Sequence, residues 1–217
     1  MKTKTITLKK GEVEFYAQIA IIIVLALLLV YNFNSPAGNV GIGTVSASSV
    51  IPTGTPPIYG EELGVKYDYV SPSNQKLADE TIRILGNIDR SEELNEEQKQ
   101  RYIEILYNMN NGISCEYCCG AKSIIFENGE MACGCAHSYA MRGLTKYLIK
   151  YHGDEFTDEE ILTEIGKWKV LFFPGILEGK AQVMESQGLS TDYISLTTNK
   201  HRGIEQGAVQ GSMVGAC

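Results

Sequence analysis

Cys115-Glu116-Tyr117-Cys118-Cys119-Gly120 and, further along, Cys133-Gly134-Cys135-Ala136-His137 decide how this sequence is read. Five of the six cysteines fall between Cys115 and Cys135, and His137 continues the alternation of the last pair. A C-x-x-C turn lets two thiolates converge on one ion, and a second pair brought alongside fills a four-ligand site. The intervening segment supplies the means. Lys122-Ser123-Ile124-Ile125-Phe126 and Glu130-Met131-Ala132 flank Glu127-Asn128-Gly129, and Asn-Gly between two short runs predicts a β-hairpin.

The candidate metal ligands are therefore Cys115, Cys118, Cys119, Cys133, Cys135 and His137. Zinc fits four of them, such as Cys115, Cys118, Cys133 or Cys135, and His137, in a closed structural site. Cu(I) fits the soft thiolates equally, and Met141, one helical turn after His137, either adds a thioether or packs in the core. Two other readings stay open. Structural disulfides are natural for an exported chain, although pairs such as Cys118–Cys119 or Cys133–Cys135 would be strained. Thiol–disulfide chemistry at Cys115/Cys118 is the third reading, without the βαβ context it usually has. Cys119 is surplus to a four-ligand site, Cys217 is isolated, and the spacings are not those of ferredoxin clusters.

Around the cluster the periodicity is helical. A helix is predicted from a Ser73 cap to about Asp89, with Leu77, Ile84, Leu85 and Ile88 on one face. A second starts at Ser91 and runs to about Asn110, and a third runs from about Ser138 to Tyr151. Thr157-Asp158-Glu159-Glu160 is a capping box for a fourth, ended by Pro174-Gly175. A fifth runs from about Leu177 to Gln187. The tail, 190–217, is Gly-rich and is expected to be irregular. His152 is expected to favour the negative end of a helix dipole. His201 and the lysines flanking Trp168 are expected in solvent.

Toward the N-terminus, 15–33 is apolar apart from Gln18 and Asn32, long enough as a helix to cross a bilayer. A cleaved secretory signal with its site at Ser35-Pro36-Ala37-Gly38 is the alternative. Lys2, Lys4, Lys9 and Lys10 precede this run and no basic residue follows until Lys66, which predicts a cytoplasmic N-terminus and an extracytoplasmic C-terminal part. The expected organisation is a basic segment 1–14, a transmembrane helix 15–33, a flexible linker 34–60, a helical ectodomain 61–189 with its cluster at 115–137, and the tail 190–217. The expected fold class is mainly α, with one hairpin inside the Cys/His knuckle.

Three resemblances add to this. Lys9-Lys10-Gly11, then Glu12-Val13-Glu14-Phe15 and the apolar run, resembles the type III signal peptides of archaeal type IV pilin-like proteins. That resemblance implies cleavage after Gly11 and self-assembly through the retained helix. Knuckle, hairpin and helix start together resemble zinc-ribbon or treble-clef sites, with C-x-C-x-H where C-x-x-C is usual. Cys133-Gly134-Cys135 with His137 also resembles a family of exported proteins of unsettled function named for a PCYCGC motif, whose Pro and first Cys are absent here. It implies metal or redox chemistry.

A net charge of −7 argues against nucleic acid as a partner. No G-x-S-x-G, phosphate loop or H-E-x-x-H is present, and no catalytic residue is assigned. The expectation is a membrane-anchored metal-binding protein, with zinc structural or copper handled. A pilin-like surface subunit is the rival, and a small redox protein the third reading.

Overall fold

The computed structural model describes residues 18–19, 50–209, 211 and 213–215. The chain divides into two compact units, 1–43 and 44–217. Of the first, Gln18 and Ile19 are described, both helical and exposed. The second carries seven α-helices among its described residues: α1 (Tyr59–Leu63), α2 (Gln75–Ser91), α3 (Glu96–Ile103), α4 (Ala136–Tyr151), α5 (Asp158–Phe172), α6 (Pro174–Ser186) and α7 (Tyr193–Thr197).

No helix among the described residues is long and apolar enough to cross a membrane. This corrects the fold class and the localisation built on a single-pass span. The physical reason lies in the helices themselves: the longest, α2, carries Lys76, Asp79, Glu80, Arg83, Asp89 and Arg90. The apolar run 15–33, apart from Gln18 and Ile19, lies outside the described residues, as do the basic segment 1–14 and the proposed cleavage point at Gly11.

Local chemistry sets most helix starts. Asn74, not Ser73, caps α2 by accepting from Leu77 N at 3.3 Å. The second predicted helix starts later than expected, because Asn95 and Gln98 form a capping box that satisfies two orphan donors at once. Thr157 and Glu160 form the expected box on α5. Pro174 ends α5 and also opens α6, where its missing N–H costs nothing. Beyond α3 the chain widens into a π turn, Glu104–Asn108, and then a 3₁₀ turn, Met109–Asn111.

The expected hairpin shrinks to a tight turn. Phe126 N donates to Glu130 O and Ala132 N to Ile124 O, with one antiparallel bridge between Ile125 and Met131. No strand forms among the described residues, because the flanking runs are too short to ladder.

Two stretches expected to be loose are packed. Val50, Pro52, Pro56 and Tyr59 are buried, and Tyr59 and Tyr67 hydroxyls both donate to buried Glu164 on α5. Folding therefore starts by Val50, inside the predicted linker. In the tail, Val214 is fully buried and its N–H donates to Phe172 O at 2.8 Å. α2 and α4 pack along their lengths, and Trp168, Phe172 and Phe173 of α5 and its end fill the centre.

His152 sits at the C-terminus of α4, as expected, but it is also clamped. Nε2 lies 2.8 Å from Glu62 and Nδ1 2.9 Å from Glu155. Burial alone lowers the imidazole pKa, but the bonds to Glu155 and Glu62 outweigh it and the net shift is upward. A group raised on folding stabilises fully below its unfolded value of about 6.5, and that contribution disappears as pH rises through the folded value. Glu62 is shifted down, first by Tyr147 and then by His152, so its share is lost as pH falls through its lowered value. We expect the Tm difference between the wild type and His152→Gln to be largest in weak acid, near pH 5.5, and to shrink above about pH 7.5. A difference that grows with pH would refute the clamp.

Candidate metal centre

The two arms of the cluster are each held by buried charge. The first arm, Cys115 to Gly120, follows Ile113, whose backbone bridges Thr198. Glu116 takes a left-handed φ of 46° and turns its carboxylate inward. There it accepts from Gly203 N at 3.0 Å, and Lys169 Nζ lies 3.5 Å away. The tail closes over this arm. Arg202 donates to the carbonyls of Gly120 and Ala121, Tyr117 Oη donates to Glu205, and Asn199 binds Asn111 O, Lys122 O and Ser114 Oγ.

The second arm is held by Arg142 of α4, which is 1% exposed. Its Nη1 donates to Cys133 O at 2.7 Å and Ile124 O at 3.2 Å, while Nε meets Asp89 at 2.8 Å. Cys135 then serves as the N-cap of α4, accepting from Ser138 N at 3.4 Å. A cysteine in that position faces the positive end of the helix dipole, which favours its thiolate.

These arms bring five sulfurs together around Cys135. Its Sγ is 3.2 Å from Cys115 and 3.6 Å from Cys133. A zinc–sulfur tetrahedron with 2.3 Å bonds has edges of about 3.8 Å, so these separations are near those a shared ion requires. Two triads, Cys115/Cys118/Cys135 and Cys119/Cys133/Cys135, each have all sulfurs within 4.8 Å of one another. Cys115, Cys119, Cys133 and Cys135 are free, whereas Cys118 is disulfide-bonded. Cys118 is thus close enough to be a ligand but offers no thiolate while oxidised. Cys115 and Cys133 are buried, Cys135 is 9% exposed and Cys119 faces solvent.

The protons are unevenly shared. Cys135 is pulled down to about 3, first by the Cys115 thiol and then by Ser138, against its own burial. Cys115 is pushed far up, by sharing that proton with Cys135 and by burial. Burial and Cys119 push Cys133 up to about 11.

His137 is brought beside Cys135 but joins neither sulfur triad. Its ring is fully buried between Phe172 and Phe173, at centroid distances of 4.9 and 5.1 Å. Nε2 lies 2.8 Å from Val214 O, so that nitrogen carries the proton. Nδ1 is then a bare lone pair, and it is buried without a hydrogen-bond partner. An imidazole oriented by a backbone carbonyl with its other nitrogen free is the usual form of a metal-ligating histidine. Met141 is buried in the core, the plainer of its two readings.

The charged residues behind the cluster were not identified from sequence. Lys169, expected in solvent beside Trp168, is fully buried, donates to Thr197 O at 2.6 Å, and is lowered to about 8 by burial. Lys180 is equally buried, 3.9 Å from both Glu116 and Glu205. The signal was present: Ile161, Ile165, Trp168, Lys169 and Phe172 lie on one helical face, so Lys169 occupies a core position.

No protein-family model, curated protein or solved structure matches this chain. The three resemblances therefore stand only on the residues that carry them.

Proposed function

We propose that this protein binds a soft metal ion, Cu(I) or Zn²⁺, in a thiolate cluster centred on Cys135. The observation that carries the reading is the convergence of the free sulfurs of Cys115, Cys119 and Cys133 on Cys135. Soft thiolates select these two ions over the hard ones. The buried lone pair of His137 Nδ1 beside Cys135 supports the reading, since an orphaned buried acceptor otherwise carries a desolvation penalty.

Zinc would use the Cys119, Cys133 and Cys135 sulfurs with one further ligand. Cu(I) is satisfied by the Cys119/Cys133/Cys135 triad, with solvent-facing Cys119 as the point of entry and release. The test is elemental analysis and competitive titration of the full chain, prepared anaerobically. We expect one ion per chain, and Cys135→Ser to weaken binding by at least roughly 100-fold. Tighter holding of copper than of zinc assigns a carrier, and the reverse a structural site. A wild-type chain that retains neither ion refutes the proposal.

A further inference from the structure

We propose that Lys180 and Glu205 join in an intramolecular amide cross-link, formed by condensation of the lysine ammonium with the glutamate carboxylate and loss of water. The two side chains meet in the interior, where α6 faces the tail. Lys180 is fully buried and Glu205 is 4% exposed. Lys180 Nζ lies 3.9 Å from Glu205 Oε2, and among the described residues neither atom has a hydrogen-bond partner. An ammonium has three protons to donate, and leaving all of them unused beside a bare carboxylate oxygen, away from water, is costly. A buried ion pair that stays charged closes to hydrogen-bond distance, as Arg142 and Asp89 do at 2.8 Å. Lys180 and Glu205 approach without closing.

The surroundings select Glu205 as the acyl partner. Lys180 is also 3.9 Å from Glu116, but that carboxylate is held by others. It accepts from Gly203 N at 3.0 Å and faces Lys169 at 3.5 Å and Arg202 at 4.0 Å. Glu205 has one hold, Tyr117 Oη donating to Oε1 at 2.9 Å. That bond leaves Oε2 as the departing oxygen. It also puts an O–H on the oxygen that gains negative charge when its carbon is attacked. Burial lowers the Lys180 pKa, which favours the neutral, nucleophilic amine. A cleft of about 540 Å³ lined by Tyr117, Glu205 and Gln206 leaves room for the released water.

The steps balance without a co-reactant. The Lys180 ammonium passes one proton to Glu205 Oε2, which leaves a neutral amine facing a carboxylic acid. The amine lone pair attacks Cδ; the Nζ–Cδ bond forms and the carbonyl π pair moves onto Oε1, beside Tyr117 Oη. When that pair returns, the Cδ–Oε2 bond breaks, and the hydroxyl departs with the bonding electrons and a second proton from nitrogen. One amide and one water replace one ammonium and one carboxylate, and nothing is oxidised or reduced. The fold supplies the driving force by holding the reactants together and by losing two buried, unsatisfied charges.

The bond would tie α6 to the part of the tail that closes over the first cysteine arm. Gly203, which binds Glu116, and Arg202, which binds the carbonyls of Gly120 and Ala121, immediately precede the cross-linked residue.

The test is intact-mass measurement and peptide mapping of the full chain, reduced and denatured so that disulfides and bound metal do not contribute. We expect the wild type to be lighter by one water than the sequence between its mapped termini. Digestion should release a branched peptide in which Lys180 is joined to Glu205. Lys180→Met and Glu205→Ala should each restore the full sequence mass. Lys180 and Glu205 found in separate, unmodified peptides overturn the proposal, and so does a branch from Lys180 to Glu116. A water loss that persists in Lys180→Met belongs to another position and overturns it as well. The wild-type map is decisive even where a variant fails to fold.

Discussion

Replacing Arg142 by alanine is expected to cost about 3–5 kcal/mol of folding stability, the range for breaking a buried ion pair by removing one partner. Arg142 is 1% exposed and its partner Asp89 7%, so solvent screens the pair little. The guanidinium does three things at once. It pairs with Asp89, it satisfies the carbonyls of Cys133 and Ile124, and it stacks on Tyr139 at 4.6 Å. Without it, Cys133 O loses its donor and Ile124 O keeps only Ala132 N. Asp89 keeps only Lys146, at 2.9 Å, as its ionic partner. Arg142→Lys should recover only part of the loss, because an ammonium cannot bridge a carboxylate and two carbonyls in the fixed geometry of the fork. Both variants should also weaken metal binding, since Cys133 depends on Arg142 for its backbone position. Urea unfolding of the full chain checks the first claim; a loss under about 1 kcal/mol for Arg142→Ala would show that the clamp is not structural.

What the sequence disclosed and what it hid can be traced to particular residues. The capping box at Thr157 was legible because its pattern is local, and so was the break at Pro174. The start of α3 was not: Ser91 and Asn95 are both good caps. Only the reciprocal bonds of Asn95 with Gln98 decide between them, while Ser91 ends α2 facing back to Ile88 O. The tail was misread because glycine usually signals freedom. Here it signals close approach, since a Cβ at Gly211 would fall 2.8 Å from Ile176 N. The sulfur cluster was readable from spacing alone. Its unequal members were not, because the pivotal role of Cys135, the oxidation of Cys118 and the tautomer of His137 depend on chain brought in from α4, α5 and residue 214. The charges that hold both arms sit on helix faces whose apolar character masks them, as Lys169 does on α5.

The same long-range dependence makes a single methyl group at Gly143 the other large effect expected. A Cβ built there lies 2.0 Å from Leu85 O and 2.9 Å from Asp89 N, both backbone atoms of α2. No rotamer relieves contact with backbone, so α2 and α4 must separate by more than an ångström to restore ordinary contact distances. Overpacking of this kind costs about 3 kcal/mol or more, which exceeds the roughly 1 kcal/mol that alanine gains over glycine in a helix. The damage should not stay local. Asp89 lies one turn beyond Leu85 on the face that meets α4, and it holds Arg142, which holds Cys133. Opening the helix pair therefore loosens Cys133, a proposed ligand that Gly143 does not touch. Gly134→Ala is the decisive comparison. Gly134 sits between two proposed ligands, yet it lacks a left-handed φ and a Cβ there meets nothing within 4 Å. Its stability change should stay within about 0.5 kcal/mol, the range of an ordinary surface substitution. Thermal unfolding and metal titration of the two variants should then rank the distant glycine as damaging and the neighbouring one as neutral; the opposite order would mean that the cluster is not positioned through α2 and α4.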